Sequence, residues 1–513
     1  MKLRHYLSLL SLMLLVTSLS GCKTQEVVIT DRAERAEQAE YVAPQKELRA
    51  AWLHTVFQTE YMGKPREEVQ RGLLGRLDTL QEAGFNAVIF QVRPESDAWY
   101  YSPIEPWSRF FTGQQGVAPS PLWDPLQFLV EEAHKRNMEL HAWINPYRAA
   151  TSLEAPRGEK HPYNEHPEWF LIYGKQMYYN PSLPAVRNHV SKVVEDLVTR
   201  YDIDAIHMDD YFYPYPIAGE EFPDKLYYES DPRGFDNIGD WRRDNVNKLI
   251  REMHATIKRV KPYVRFGISP FGIYRNVKSD PQGSQTNGLE NYDDLYADAL
   301  LWDREGWIDY LMPQLYWEMG HKAADYTELA YWWQRSTTKA HYYIGQAVRR
   351  TMDKDQLHPK MVIAAETSDG MCMWSGVDVI SNYKGIADEL KEKYWRHPAL
   401  IPASPYPESY TEFPEPPRQA FVVTLESGRR ELNWTEDLAY PPGLETKYYV
   451  VYCHKRGEKL SKAIKPENIV AITANDYYEP MDLGGKFRLA YTVTRVDRFN
   501  HEHLVAHDIP VVL

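Results

Sequence analysis

From about residue 49 to residue 400 two rhythms alternate along the chain. Apolar runs of strand length fall at 49–56, 86–92, 139–145, 205–209, 264–269, 310–316, 342–347 and 371–374. Between them apolar residues recur at helical spacing. Val186, Val190, Val193, Val194, Leu197 and Val198 share one helical face, as do Val246, Leu249, Ile250, Met253 and Ile257. Eight strand-then-helix units over this stretch predict an α/β chain folded as a (β/α)8 TIM barrel. A doubly wound open sheet has the same alternation, but no Gly-rich phosphate-binding turn follows the first strand, which weighs against its dinucleotide-binding form. The segments after strands two to five are long: 93–123, 146–184, 210–239 and 270–290. Returns such as Ala83-Gly84 and Lys135-Arg136-Asn137 are short. Long strand-to-helix loops on one face are where a barrel assembles a site.

A Pro-rich stretch at 402–417 breaks the pattern and reads as a linker. Beyond it, β-rich runs at 421–425, 431–434, 448–452, 469–471 and 487–496 predict a C-terminal β-sandwich over 418–513. Leu432-Asn433-Trp434 and the run from Tyr491 to Asp497 resemble strands of a fibronectin type III domain.

In a barrel strand, side chains alternate between the interior and the helix layer, and large aliphatics belong against the helices. In the fourth strand Ile206 and Met208 therefore face out, while Ala205, His207 and Asp209 face in. Asp209 emerges at the C-terminal mouth and Asp210 opens the loop. The same test sends Leu311, Pro313 and Leu315 outward and leaves Gln314, Tyr316 and Glu318 at the interior or mouth, with Trp317 between them. It puts His141, Trp143 and Asn145 inside on strand three. On strand two it puts Gln91 and Arg93 inside, with Glu95 and Asp97 just beyond. Carboxylates, amides, an arginine and aromatic rings thus converge on one end. Glycosidic cleavage needs one carboxylic acid to protonate the leaving oxygen and a second carboxylate to attack or to activate water. Asp209 is the expected nucleophile or base, kept ionised by Arg93 or another cation. Glu318, Asp210, Glu95 and Asp97 are the candidate acids, and drying by Tyr316 and Trp317 would favour Glu318. Trp143, Tyr147, Tyr211, Tyr213 and Tyr215 are candidate sugar platforms. His207 reads as a hydrogen-bonded interior residue. With Asp209 and Asp210 it lacks a convincing third or fourth metal ligand, so neither metal nor cofactor is expected.

Composition agrees with a glycan as substrate. Tyr 37 and Trp 15 against Phe 16 make an aromatic surplus with polar edges. A formal net charge of −13 argues against nucleic acid as the partner. The N-terminus carries an export signal over 1–22: Lys2, Arg4 and His5 precede a short apolar run that ends in Leu19-Ser20-Gly21-Cys22, which resembles a bacterial lipobox. Cys22 is then the lipidated residue and residues 23–47 a polar tether from membrane to barrel, 48–401. The remaining Cys372 and Cys453 lie in different domains, so no disulfide framework is expected. Localisation is expected in the cell envelope. Oligomeric state is not legible.

Six motifs carry a family resemblance. They are Leu48-Arg49-Ala50-Ala51-Trp52, Phe85-Asn86-Ala87-Val88-Ile89-Phe90-Gln91-Val92-Arg93-Pro94, Ala142-Trp143-Ile144-Asn145-Pro146-Tyr147-Arg148, His207-Met208-Asp209-Asp210-Tyr211-Phe212-Tyr213-Pro214, Phe266-Gly267-Ile268-Ser269-Pro270-Phe271-Gly272-Ile273-Tyr274-Arg275 and Met312-Pro313-Gln314-Leu315-Tyr316-Trp317. In this order, over about residues 46–400, they resemble the glycosyl hydrolase-like 10 family of bacterial envelope lipoproteins. The resemblance implies a TIM barrel of glycosidase ancestry, often with a trailing fibronectin-like domain, and a cell-wall glycan or another polysaccharide as substrate. Peptidoglycan strands stripped of their stem peptides are one known substrate among relatives. Arg148, Ser269, Tyr274 and Arg275, which lie within these motifs, join the candidate substrate-binding set. A glycan-binding lipoprotein that keeps the barrel only as a receptor, or a metal-dependent hydrolase or deacetylase, would share the same mouth.

Overall fold

The computed structural model of the 513-residue chain describes residues 29, 31–411, 420–427, 429–435, 440–480 and 489–510. Eight parallel strands lie in the order in which the sequence presents them: β1 (Leu48–Leu53), β2 (Ala87–Arg93), β3 (Glu139–Ile144), β4 (Ala205–Met208), β5 (Arg265–Ile268), β6, β7 and β8 (Gly370–Trp374). β6 comes as two pieces, Tyr310–Leu311 and Gln314–Leu315, split at Pro313, which has no N–H for the ladder. β7 is likewise His341–Tyr342 and Ile344–Ala347. Each strand pairs with the next, β7 pairs with β8, and β8 returns to pair with β1. The sheet curls round on itself, and the open-sheet alternative is set aside by that closure.

Helices follow the strands as their apolar stripes require. Pro184–Arg200 buries Val186, Val190, Val193, Val194, Leu197 and Val198, and Ile238–Val260 buries Val246, Leu249, Ile250, Met253 and Ile257. Side chains alternate across the wall. Val88, Phe90, Leu140, Ile144, Ile206, Met208, Leu311 and Leu315 join the helix-facing core. Ala50, Trp52, Ile89, Trp143, Ala205, Tyr310 and Tyr343 form a second cluster in the interior.

Tyr310 fills the barrel axis. Its ring lies against Gly267, where an added Cβ would fall 1.9 Å from the ring. Only glycine fits there. Its hydroxyl sits 3.0 Å from Nδ1 of His141 and 3.0 Å from Nδ1 of His207. Gly267→Ala is expected to cost about 3 kcal/mol or more of stability, at or beyond the upper end of ordinary overpacking. Chemical denaturation of the purified variant checks this.

The C-terminal part forms two antiparallel sheets. Ala420–Thr424, Arg430–Trp434 and Tyr477–Tyr478 make one; Ile469–Thr473, Thr446–Lys455, Leu489–Asp497 and Glu502–Ile509 make the other. Leu432 and Trp434 of the first pack against Tyr449, Val451, Tyr491 and Val493 of the second. Sequence periodicity misses Tyr477–Tyr478, which is only two residues long, and Glu502–Ile509, whose Glu, His and Asp positions mask the alternation.

This unit docks on the floor of the barrel, opposite the mouth, through a buried ionic cluster. Lys447 Nζ lies 2.7 Å from Glu139 and 2.8 Å from Asp204, at the starts of β3 and β4. Glu139 also takes bonds from Arg265 and, at 3.0 Å, from Asn500. Arg498 pairs with Asp202. Burial opposes ionisation of Asp204, yet Lys447 and His134 hold its carboxyl well below the usual range.

Two connecting segments pack in part against the folded units. Within the supposed tether, residues 31–38 are helical. Ala33 and Ala36, three residues apart, rest on the barrel, Arg32 stacks over Tyr331 at 4.0 Å, and the Ala39 carbonyl lies 3.0 Å from His358 Nε2. The small alanine side chains among the charges give the helix its docking face. The first part of the linker also packs on the C-terminal unit: Ser404 N donates to the Phe499 carbonyl at 2.8 Å and the Tyr406 hydroxyl to Asp497 at 2.5 Å. The export signal, Cys22 and residues 412–419 lie outside the described residues. Cys372 and Cys453 are free thiols.

Candidate active site at the barrel mouth

β4 ends by lifting Asp209 and Asp210 into the mouth, where they are 4% and 3% exposed. Four N–H contacts fix Asp209. Trp143 Nε1 donates to Oδ2 at 3.1 Å, Asn145 Nδ2 bridges both oxygens at 3.1 and 3.3 Å, and the main-chain N–H of Tyr211 donates to Oδ1 at 3.1 Å. The end of β3 therefore supplies two side chains whose work is to aim this carboxylate. Burial pushes the Asp209 carboxyl up, opposed by the nearby Arg148 guanidinium and the donors just named. Asp210 is held by the Tyr215 hydroxyl and by Gln314. Burial, then the neighbouring Asp209 charge, pushes the Asp210 carboxyl up to about 6. Two adjacent carboxyls that cannot both ionise cheaply are the arrangement from which an acid and a base are drawn.

Aromatic rings wall the mouth. Trp374 at the end of β8 stacks near Tyr316 with centroids 6.4 Å apart, and Trp52 meets both edge-on. Trp143 stands 6.2 Å from Trp374. On the other side Tyr211, 36% exposed, packs against Tyr215 at 5.4 Å, with Arg148 over its face at 5.2 Å. Phe271 lies between Tyr215 and Trp317. At the rim, the loop after β1 makes a tight turn closed by Gln58 N–H to the Thr55 carbonyl at 3.1 Å. Phe57 is its third residue, 66% exposed and at φ 61°. That left-handed conformation costs a bulky side chain of order 1–3 kcal/mol.

Not every residue expected at the mouth reaches it. Asp209, Asp210, Trp143, Asn145, Arg148, Tyr211, Gln314, Tyr316 and Trp317 gather there. Arg93 does not: it is fully buried, bidentate to Glu105 at 2.6 and 2.7 Å, and it also holds the Asn145 carbonyl. The cation beside Asp209 is Arg148. Glu95 is buried on Arg109 and Thr151. Asp97 is buried among the loops after β2, bonded by Gln115 at 3.1 Å, and burial together with Glu95 pushes it up to about 7. These three serve the packing of long loops, whose many main-chain and charged groups need internal partners. Tyr147 is buried, as is Tyr213, whose hydroxyl accepts from Asn245 at 3.2 Å. Neither is an open platform. Tyr274 donates to Asp298 at 2.6 Å, and Arg275 pairs with Asp293 and Asp280.

Glu318 stands at the rim, 3.4 Å from Arg350, and despite burial its own main-chain bond and Arg350 keep its carboxyl below the usual range. That is the reverse of what a proton donor needs. His207 lies in the interior. Trp52 Nε1 donates to its Nε2 at 3.1 Å, Ser269 is 3.0 Å away, and burial lowers its pKa far enough to keep it neutral.

Sequence reasoning missed Trp52, His54, Phe57 and Trp374. The alternation test finds Trp52 and Trp374 once it is extended to β1 and β8. His54 packs 5.1 Å from Trp374, and nothing in its local sequence marks it. Among the described residues no group of three or more His, Cys, Asp or Glu is placed to hold a metal ion.

This chain is similar to known proteins. The model of the glycosyl hydrolase-like 10 family matches residues 47–362. "Glycosyl hydrolase YngK" of Bacillus subtilis (strain 168) is 40% identical over 480 residues, covering 89% of this chain and 92% of its own length. "Glycosyl hydrolase DigH" of Escherichia coli (strain K12) is 34% identical over 376 residues, 69% of this chain and 85% of that protein. Among solved structures, the PgaB (BpsB) glycoside hydrolase domain from Bordetella bronchiseptica aligns with a TM-score of 0.45 at 11% identity, over 68% of this chain and 99% of that one.

Proposed function

Because the chain belongs to the glycosyl hydrolase-like 10 family, we propose that it is a glycoside hydrolase that cuts a bacterial cell-wall glycan, the peptidoglycan strand, or another polysaccharide. The observation that carries this reading is the pair Asp209 and Asp210, buried side by side in an aromatic mouth and each held by its own donors. Asp210, neutral up to about pH 6, gives its proton to the glycosidic oxygen as the C–O bond breaks. Asp209, aimed by Trp143 and Asn145, meets the positive charge that develops at the anomeric carbon, as nucleophile or as base for the incoming water. Glu318, tied to Arg350, stays ionised and lines the rim. Tyr211, Tyr316, Trp317 and Trp374 offer faces on which sugar rings stack.

Around this centre we place an envelope lipoprotein. Cys22 is the acylated residue, residues 1–22 the export signal and 23–47 the tether, part of which docks on the barrel as the helix at 31–38. Residues 402–417 connect the barrel, 48–401, to a fibronectin type III-like unit at 418–513. The two facing antiparallel sheets of that unit support this assignment.

The test is digestion of purified peptidoglycan, with and without its stem peptides, beside a polysaccharide panel, with products read by mass spectrometry. Release of shorter saccharides supports the proposal; tight binding without product makes the barrel a receptor. On the substrate that is cut, kcat/KM is expected to fall as pH rises through about 6, because Asp210 then loses the proton it must donate. A flat profile between pH 5 and pH 8 removes Asp210 from the acid role.

A further inference from the structure

Phe57 is the residue that the mouth leaves most conspicuously unexplained. Its loop is pinned from below: the N–H groups of Thr55 and Val56 donate to Gln91 Oε1 at 3.0 and 2.9 Å, and Thr55 Oγ1 donates to the Gln91 carbonyl at 2.9 Å. Gln91 is itself fully buried in β2. The turn that follows places Phe57 at a position of positive φ, which ordinarily takes glycine or asparagine. The ring nevertheless stands two-thirds exposed, backed edge-on by Phe110 at 5.8 Å, and Arg109 lies over the far ring at 4.4 Å. A strained turn, rigidly anchored, that presents a large apolar face to solvent gains nothing for the fold. The same loop begins at His54, whose ring lies against Trp374 in the catalytic wall. Two residues separate the two, three chain steps that span at most about 10 Å.

We infer that Phe57, backed by Phe110, is a distal subsite on which a pyranose ring of a long glycan stacks, so that chain length beyond the cleavage point contributes to recognition. This rests on the glycoside hydrolase reading and adds to it a preference for polymers over short saccharides.

The experiment uses peptidoglycan glycan strands freed of stem peptides and sorted by length, cut by the full-length wild-type protein and by Phe57→Asn and Phe57→Trp. Asparagine accepts the left-handed turn and removes the platform; tryptophan keeps a ring. The expected result is that Phe57→Asn lowers kcat/KM on the longest fraction roughly 3- to 10-fold, mainly through KM, and leaves the shortest fraction unchanged. Its Tm should be equal to or above that of wild type, and Phe57→Trp should keep the length dependence. Wild-type length dependence in Phe57→Asn, or equal losses on long and short strands with a lowered Tm, overturns the inference. If the wild-type protein cuts none of these fractions, the peptidoglycan reading falls and this subsite on peptidoglycan falls with it.

Discussion

Asp209→Asn is expected to lower turnover on a glycan substrate roughly 10^2- to 10^4-fold, with folding and glycan binding retained. The amide has the shape of the carboxylate, so Trp143 and Asn145 keep a partner of the right size. What disappears is the negative charge that the reaction centre would meet. One oxygen becomes an NH2 that faces an N–H donor of Trp143, Asn145 or Tyr211, a mismatch of about 1–3 kcal/mol. Removing a charge whose ionisation burial opposes offsets part of that cost. Activity assays and thermal unfolding on the same preparation separate the two effects. A variant that cuts at the wild-type rate would remove Asp209 from the mechanism. A variant that neither folds nor binds would make it a structural residue.

The second large effect lies at the opposite end of the barrel. Lys447→Met is expected to destabilise the protein by about 3–5 kcal/mol, the cost of leaving buried charge without its partner. Glu139 and Asp204 face the same ammonium from adjacent strands. Arg265, Asn500 and His134 remain, but none of them touches both carboxylates. The deficit is expected to be greatest at neutral pH. It should shrink as pH falls through and below the ordinary carboxylate range, because the depressed Asp204 carboxyl that Lys447 helps to hold contributes stability only while it stays ionised. Denaturant titration at several pH values measures it, and adding Glu139→Gln and Asp204→Asn to the variant should recover part of the loss. No loss from Lys447→Met would mean that the C-terminal unit docks without its ionic cluster.

The barrel was legible because its strands state their orientation twice, once by length and once by alternation. Ile206 and Met208 against His207 and Asp209 decide which side is core, and the structure follows that pattern on β2, β3, β4 and β6. The candidate site was legible as far as strand ends carry it, to Asp209, Asp210, Trp143 and Asn145. It blurred where loops take over. Arg93 points inward as alternation requires, but its partner is Glu105, twelve residues along an irregular loop, and no periodicity announces such a pair. Glu318 has the right chemistry and sits just past β6, but its own main-chain bond and Arg350, from the segment after β7, keep its carboxyl low. Lys447 meets Glu139 across 308 positions. Ion pairs of that range depend on how whole units pack, which local pattern does not encode. The helix at 31–38 was hidden for the opposite reason, since its two-alanine stripe is too slight to stand out among charges.

Tyr310 has one more consequence. With its phenol plugging the axis and the C-terminal sheets seated beneath, the cylinder has one door. A polymer handled by this protein is never threaded through like yarn through a needle. On the proposed reading it would lie across the rim, meet the two aspartates there, and its products would leave by the same opening.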